Sequence, residues 1–309
     1  MKFDYGILEA EEKLVFALRA LYYENGYRQY KMSKFEDYDL YSRNKDFLIS
    51  DRLITFTDTN GRLKALKPDV TLSIIKSYKD APGKVEKLCY NESIYRVSKG
   101  TGAFRELTQT GLECIGAVDE TEISRVLTLA AASLAQVRDR YVLEISNLDI
   151  LSAFVSDLTE DRGLQQEVIR LVGEKNLHGL EELADREGLD RDRLLRLKKL
   201  VSSYGEPQKV LKDLRTLTAG TVLAREAEDF AGKLQGLMEE IAPEHLLIDF
   251  SLVSNLKYYN GIIFQGYIEG AAGCVLSGGQ YDKLMRRMDK KARAIGFAVY
   301  LDALERIGE

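Results

Sequence analysis

Apolar residues recur at helical spacing from Leu8 to Tyr23, with Leu14, Val15, Leu18, Leu21 and Tyr22 on one face, and Asn25-Gly26 supplies the left-handed stop that ends such a helix. From Gly26 to Tyr41 the period is lost: Tyr and Phe are interspersed with charge, which predicts an extended, partly exposed strand and loop. The runs Leu53–Asp58 and Arg62–Leu66 flank Thr59-Asn60-Gly61, whose Asn-Gly pair predicts a hairpin turn. Pro68 stands where its missing amide donor costs a helix nothing, so a helix is expected over Thr71–Tyr78, ended by Pro82-Gly83. Two further runs, Glu86–Val97 and Phe104–Ile115, read as strands joined by the Gly-containing link Ser98–Ala103. Asp119 and Glu122 form a capping pair for an Ala-rich helix over Ile123–Val137, and Tyr141–Ile145 reads as another strand.

Between 149 and 240 the pattern is helical throughout, rich in Leu, Glu, Lys and Arg and poor in strand formers. Strand-like runs return at Leu246–Val253, Gly261–Ile268 and Gly273–Leu276, and a final helix is expected over Phe297–Ile307. Strands on both sides of a helical block, without regular βαβ alternation, imply an α+β fold with a mainly antiparallel sheet flanked by helices. The predicted organisation is a core domain of residues 1–148 and 241–309 with an inserted helical lobe at 149–240.

Composition narrows the chemistry. A formal charge of −5 and a pI near 5.4 give no overall basic field for nucleic acid. Cys89, Cys114 and Cys274 lack the paired spacing of zinc sites or disulfide frameworks, and His178 and His245 lie in Leu- and charge-rich segments, so no metal site or His-driven catalysis is expected. Met1-Lys2-Phe3-Asp4-Tyr5 does not open a signal peptide, and no run reaches the ~20 apolar residues of a membrane span, so a soluble, cytoplasmic protein is expected.

Four segments, in order, resemble the histidyl-tRNA synthetase family, which includes a non-catalytic paralogue that regulates ATP phosphoribosyltransferase. Leu66-Lys67-Pro68-Asp69-Val70-Thr71 is similar to that family's Leu-Arg-Pro-Glu-x-Thr element. Tyr95–Ser98 with Phe104–Glu113 resembles the second class II signature and its Gln-x-x-x-Glu ending. Leu252–Gly261 resembles the histidine-specific element, and Ser277–Asp282 with Gly296-Phe297-Ala298 resembles the third signature. The resemblance implies a class II aminoacyl-tRNA synthetase-like fold and a histidine pocket lined by Asp69, Thr71, Arg96, Gln109, Glu113, Tyr259 and Tyr281. Of the adjacent tyrosines, alternation along a strand assigns Tyr259 to the pocket and Tyr258 to the core.

Departures from the family's pattern concentrate on the nucleotide side. Arg96 is present, but Ser98 stands where a glutamate would receive the adenine amino group. Ser254 stands where an arginine would stabilise developing charge, Lys257 where an aspartate is usual, and Ala303 where an arginine would grip the γ-phosphate. Arg306 lies three residues on, displaced by about 4.5 Å along a helix. Losing one preorganised cation typically costs about 2.7–4 kcal/mol of transition-state stabilisation. The first signature is degenerate as well, with Ser33 in the place of its proline after Gly26-Tyr27.

The resemblance therefore implies no catalytic residue, no cofactor, no tRNA and no anticodon-binding domain. It implies a regulatory subunit that partners the short-form ATP phosphoribosyltransferase catalytic subunit, with histidine as effector and a homodimer within a larger hetero-oligomer. Two alternatives stay open: a minimal histidine-activating ligase, and a free-standing histidine sensor. Read without the resemblance, Asp69 is an acid near a helix start, Glu113 a carboxylate paired with an arginine, and Arg96 a sheet-edge salt-bridge partner.

Overall fold

A computed structural model describes residues 5–48, 52–98, 100–253 and 258–304. The first long element, α1 (Ala10–Glu24), buries Val15, Leu18 and Tyr22 and stops at Asn25-Gly26, where Gly26 takes φ +84°. The short strands β1 (Arg28–Gln29) and β2 (Phe35–Asp37) follow. Sequence reasoning expected the extended stretch to reach Tyr41; the chain instead turns into α2 (Tyr38–Ser42), whose Tyr41 is fully buried. The Asn-Gly hairpin forms as expected, from β3 (Thr55–Thr57) and β4 (Leu63–Leu66), and β2 completes a three-stranded sheet in the order β2-β4-β3. Helix α3 (Thr71–Ser77) ends before Pro82-Gly83, and its start is secured by the Asp69 carboxylate, which accepts the Leu72 N–H at 2.9 Å.

The long hairpin of β5 (Val85–Val97) and β6 (Phe104–Gly116) dominates the second sheet, and its two strands pair residue for residue from Val85↔Gly116 to Val97↔Phe104. Helix α4 (Glu120–Val137) is capped by Asp119, which accepts the Glu122 N–H at 2.9 Å, and leads into β7 (Tyr141–Asn147). The segment 148–240 folds as α5 (Leu148–Leu158), α6 (Arg162–Gly173), α7 (Leu177–Glu187), α8 (Arg191–Ser202), the two-residue β8 (Tyr204–Gly205), α9 (Pro207–Thr218) and α10 (Ala224–Glu240). The chain then returns as β9 (Leu246–Asp249), β10 (Asn260–Ile268), β11 (Leu276–Gln280), α11 (Asp282–Arg287) and β12 (Arg293–Tyr300). The helix expected over Phe297–Ile307 is therefore corrected: Phe297 lies inside β12, and only a single 3-10 turn, Leu301–Ala303, follows among the described residues. Ile295, Phe297 and Val299 face the core of α1 and α4 while Gly296, Ala298 and Tyr300 face the other side, the strand's period of two, which the Gly and Ala residues disguise. The expected strand at Gly273–Leu276 likewise begins three residues later, at Leu276–Gln280.

The nine strands run in the order β1-β5-β6-β12-β11-β10-β7-β9-β8, antiparallel except for β1–β5 and β7–β9. The fold is α+β, as expected. One face of the sheet packs on α1 and α4: the Phe297 ring meets Tyr22 edge-on at 6.0 Å, and Leu112 and Ile295 join the same core. That core continues into Phe154, Leu171, Leu197, Leu214 and Phe230 of the helical segment. The opposite face carries a second core, in which Ile74 and Ile75 of α3, Tyr41 of α2 and Leu284 and Met285 of α11 lie over Tyr90, Ile94 and Ile115. Between this second layer and the sheet a polar cavity remains open.

Candidate functional site

Strand alternation decides which side chains reach that cavity. Along β6, Gln109, Gly111 and Glu113 share one face; along β12, Gly296, Ala298 and Tyr300 share the same one. Tyr90 and Arg96 come from β5, Asp69 and Thr71 from the start of α3, Tyr281 from the end of β11, and Tyr258 and Tyr259 from the approach to β10. Together they line a cavity of about 380 Å³. All seven residues singled out from sequence, Asp69, Thr71, Arg96, Gln109, Glu113, Tyr259 and Tyr281, meet there. Sequence reasoning missed Tyr90 and Tyr300, whose signal is their parity with Gln109 and Glu113 in a register that the sequence does not print, and it placed Ser277 in the third signature without assigning it to the cavity.

Tyr258 requires a correction. Adjacent tyrosines were expected on opposite faces of a strand, but both precede β10 and both line the cavity, with ring centroids 4.4 Å apart. Outside a strand the two-residue alternation has no force, so Tyr258 belongs to the wall as well as to the core.

Glu113 is the centre of the arrangement. It is 2% exposed; its Oε1 accepts the Thr71 hydroxyl at 2.7 Å and its Oε2 the Tyr281 hydroxyl at 2.6 Å. Its cross-strand partner is Gly296, where an added Cβ would lie 1.8 Å from Oε2, so only a glycine leaves room for this carboxyl. Burial pushes the Glu113 carboxyl up to about 8, against the two hydroxyl donors that pull it down. Asp69 is also raised by burial, and the Leu72 N–H and the Arg96 charge offset part of that rise. Arg96 itself donates from Nε to the Pro68 carbonyl at 3.3 Å, which ties β5 to the loop that carries Asp69. Beneath that loop Lys67 is fully buried and paired with Glu92 at 2.7 Å, a contact that fixes the loop against the sheet. Two carboxyls, an amide and several phenols line one half-enclosed space, a set of acceptors and donors whose chemistry suits an ammonium or an imidazole.

A second cavity, of about 520 Å³, adjoins the first toward the hairpin tip and is lined by Arg105, Leu107, Thr108, Asp302 and Ala303 among others. This is the side where the sequence departs from the family's pattern. Ser98 lies in the hairpin loop, its N–H donating to the Ala103 carbonyl at 2.8 Å, and Ala303 offers a methyl group to the cavity wall. Ser254, Lys257 and Arg306 lie outside the described residues. Among the described residues no group of three or more His, Cys, Asp or Glu could hold a metal ion, and no helix is long and apolar enough to cross a membrane.

A family model described as histidyl-tRNA synthetase matches residues 7–304. The chain is 29% identical over 296 residues to the ATP phosphoribosyltransferase regulatory subunit of Clostridium kluyveri, covering 93% of this chain and 75% of that one. Its fold is shared, at a TM-score of 0.84 and 23% identity, with an ATP phosphoribosyltransferase regulatory subunit/histidyl-tRNA synthetase from Bacillus halodurans C, over 99% of this chain and 83% of that one. It is shared also, at a TM-score of 0.74 and 19% identity, with a chain of the ATP phosphoribosyl transferase (HisG:HisZ) complex from Thermotoga maritima, over 97% of this chain and 98% of that one. The family match runs through the Asp69 loop, the β5–β6 hairpin and β10–β12, the same elements that build the cavity, and so the chain belongs to the histidyl-tRNA synthetase family and resembles the regulatory subunits within it.

Proposed function

We propose that this chain is a non-catalytic regulatory subunit of ATP phosphoribosyltransferase, which docks on the short-form catalytic subunit in the cytoplasm and reports histidine to it. One observation carries the reading: Asp69, Thr71, Gln109, Glu113, Tyr259 and Tyr281 line one cavity; the resemblance adds that Ser98 and Ala303 stand where a synthetase would need a carboxylate for adenine and a cation for the γ-phosphate. Ligand recognition without the means of adenylation is what a sensor requires. The name of the Clostridium kluyveri relative supports the regulatory role, and the Thermotoga maritima complex, of the same fold, supports a catalytic partner. Histidine is the ligand that the carboxyl, amide and phenol groups suit, with Glu113 and Asp69 taking its cationic and N–H groups and Arg96 near its carboxylate.

We take residues 149–240 as the inserted lobe and 1–148 with 241–309 as the core domain, and expect a homodimer within the larger assembly. Feedback further requires that histidine bind the active and inactive assemblies with different strength, since a ligand without preference shifts nothing.

Co-expression with a short-form catalytic subunit tests the assignment: the two chains are expected to co-purify, and histidine to inhibit the pair. The histidine cation is expected to draw the proton from Glu113, so Glu113→Gln, which cannot ionise, should weaken calorimetric histidine binding by about 1.5–3 kcal/mol, ten- to over a hundredfold. If that variant leaves binding and inhibition unchanged, histidine acts elsewhere; if histidine drives ATP–pyrophosphate exchange, the chain is a ligase instead.

A further inference from the structure

The two cavities meet at three shared side chains, Arg96, Gln109 and Tyr300. Gln109 on β6 lies directly opposite Tyr300 on β12, and the Tyr300 hydroxyl is hydrogen-bonded to the Ser277 hydroxyl on β11. Since Ser277 pairs with Ala298, two residues before Tyr300, all three side chains stand on the cavity face of the sheet. They make a row across three neighbouring strands. Glu113, Gly296 and Ala298 lie on one side of it, and Leu107, Thr108, Asp302 and Ala303 on the other.

The position of Tyr300 is over-determined. Its N–H donates to the Val275 carbonyl at 2.8 Å, the chain just beyond it is held by the Thr108 N–H on the Asp302 carboxylate at 2.9 Å, and its ring is held at the hydroxyl end by Ser277. An aromatic side chain with few rotors, fixed at both ends, is a wall rather than a swinging gate. No such wall is needed to hold a free amino acid against Glu113. It matters only to a ligand that extends past Arg96.

We infer that Tyr300, braced by Ser277 and flanked across the strand by Gln109, is a specificity-determining partition that confines the inner cavity to a free amino acid and blocks ligands extended at their carboxyl end by a nucleotide-sized group. The inference rests on reading the inner cavity as an amino-acid site. Removing the ring would join spaces of about 380 and 520 Å³ into one continuous cleft.

The test uses the full chain, free histidine, and a non-hydrolysable mimic of histidyl-adenylate in which a sulfamoyl group replaces the acyl phosphate. In the unaltered chain calorimetry is expected to give the mimic at least tenfold weaker binding than histidine. Tyr300→Gly is expected to shift the mimic-to-histidine affinity ratio at least tenfold toward the mimic, and Ser277→Ala, which leaves the ring but frees its hydroxyl, to shift it less. Mimic binding to the unaltered chain as tight as that of histidine overturns the inference, and needs no variant to fold. A ratio in a folded Tyr300→Gly variant within twofold of the original overturns it as well. If the unaltered chain ignores histidine while Tyr300→Gly gains the mimic, the partition stands and the histidine reading fails; if neither ligand binds either protein, both fail.

Discussion

Glu113→Gln should change not only histidine binding but the way stability depends on pH. Burial raises the Glu113 carboxyl from 4.5 to about 8 in the folded chain, so between those values the folded state holds a proton that the unfolded state has released. Stability from this group is therefore fully present below about pH 4.5, falls as pH rises, and is fully lost above about pH 8. Each pH unit of that interval favours the unfolded state by one proton's free energy, so from pH 6 to pH 9 the group should remove roughly 2–3 kcal/mol of stability. Glutamine is a near-isostere of the protonated acid: its carbonyl can accept from Thr71 or Tyr281, and its amide can donate to the other hydroxyl oxygen. Asp69, raised in the same sense, titrates in both proteins, so the difference between them isolates Glu113. Urea unfolding of both proteins at pH 6 and pH 9, without histidine, measures it. The variant should already be the more stable of the two at pH 6, and its margin should grow by roughly 2–3 kcal/mol by pH 9. Parallel pH dependences would refute the reasoning, because the carboxyl could not then be held protonated by burial.

Gly296→Ala should lose about 1–3 kcal/mol of stability and abolish histidine binding, because the new methyl would sit 1.8 Å from Glu113 Oε2 and 2.5 Å from the Leu112 carbonyl; an unchanged urea midpoint would count against it. No histidine-dependent ATP–pyrophosphate exchange above a no-enzyme control is expected, since by the family resemblance Ser98 and Ala303 replace the carboxylate and the cation that the reaction needs. The chain should self-associate through the apolar surface near its first strand, where Phe16 and Tyr23 of α1 are about half exposed, and light scattering that gives a monomer at high concentration would exclude this.

Much of this was legible in the amino-acid order. Helices α1 and α4 announced themselves by apolar period and by their stop and cap residues, Asn25-Gly26 and Asp119, because those signals act within a few residues of one another. The β3–β4 hairpin followed from Asn60-Gly61, and the seven cavity residues from segments similar to a known family. The misreadings fall where local pattern is silent. Strand β12 reads as a helix start because Gly296 and Ala298 are small for reasons that lie on β6 and in the cavity. Tyr258 and Tyr259 were parted by a rule for strands in a segment that is not one.

Sequence alone determined the α+β class, the helical character of the chain from 149 to 240 and the residue types available for recognition, since each depends on composition and on periods shorter than two helical turns. Tertiary structure decided what those residues can do. It set Gly296 opposite Glu113, so that a carboxyl could be buried against Thr71 and Tyr281 and raised toward neutrality. It brought Gln109, Tyr300 and Ser277, up to 191 residues apart in the chain (300 − 109), into one row across the sheet. Register between distant strands is a property of the closed sheet: it is selected by the joint packing of both faces, and no single strand carries it.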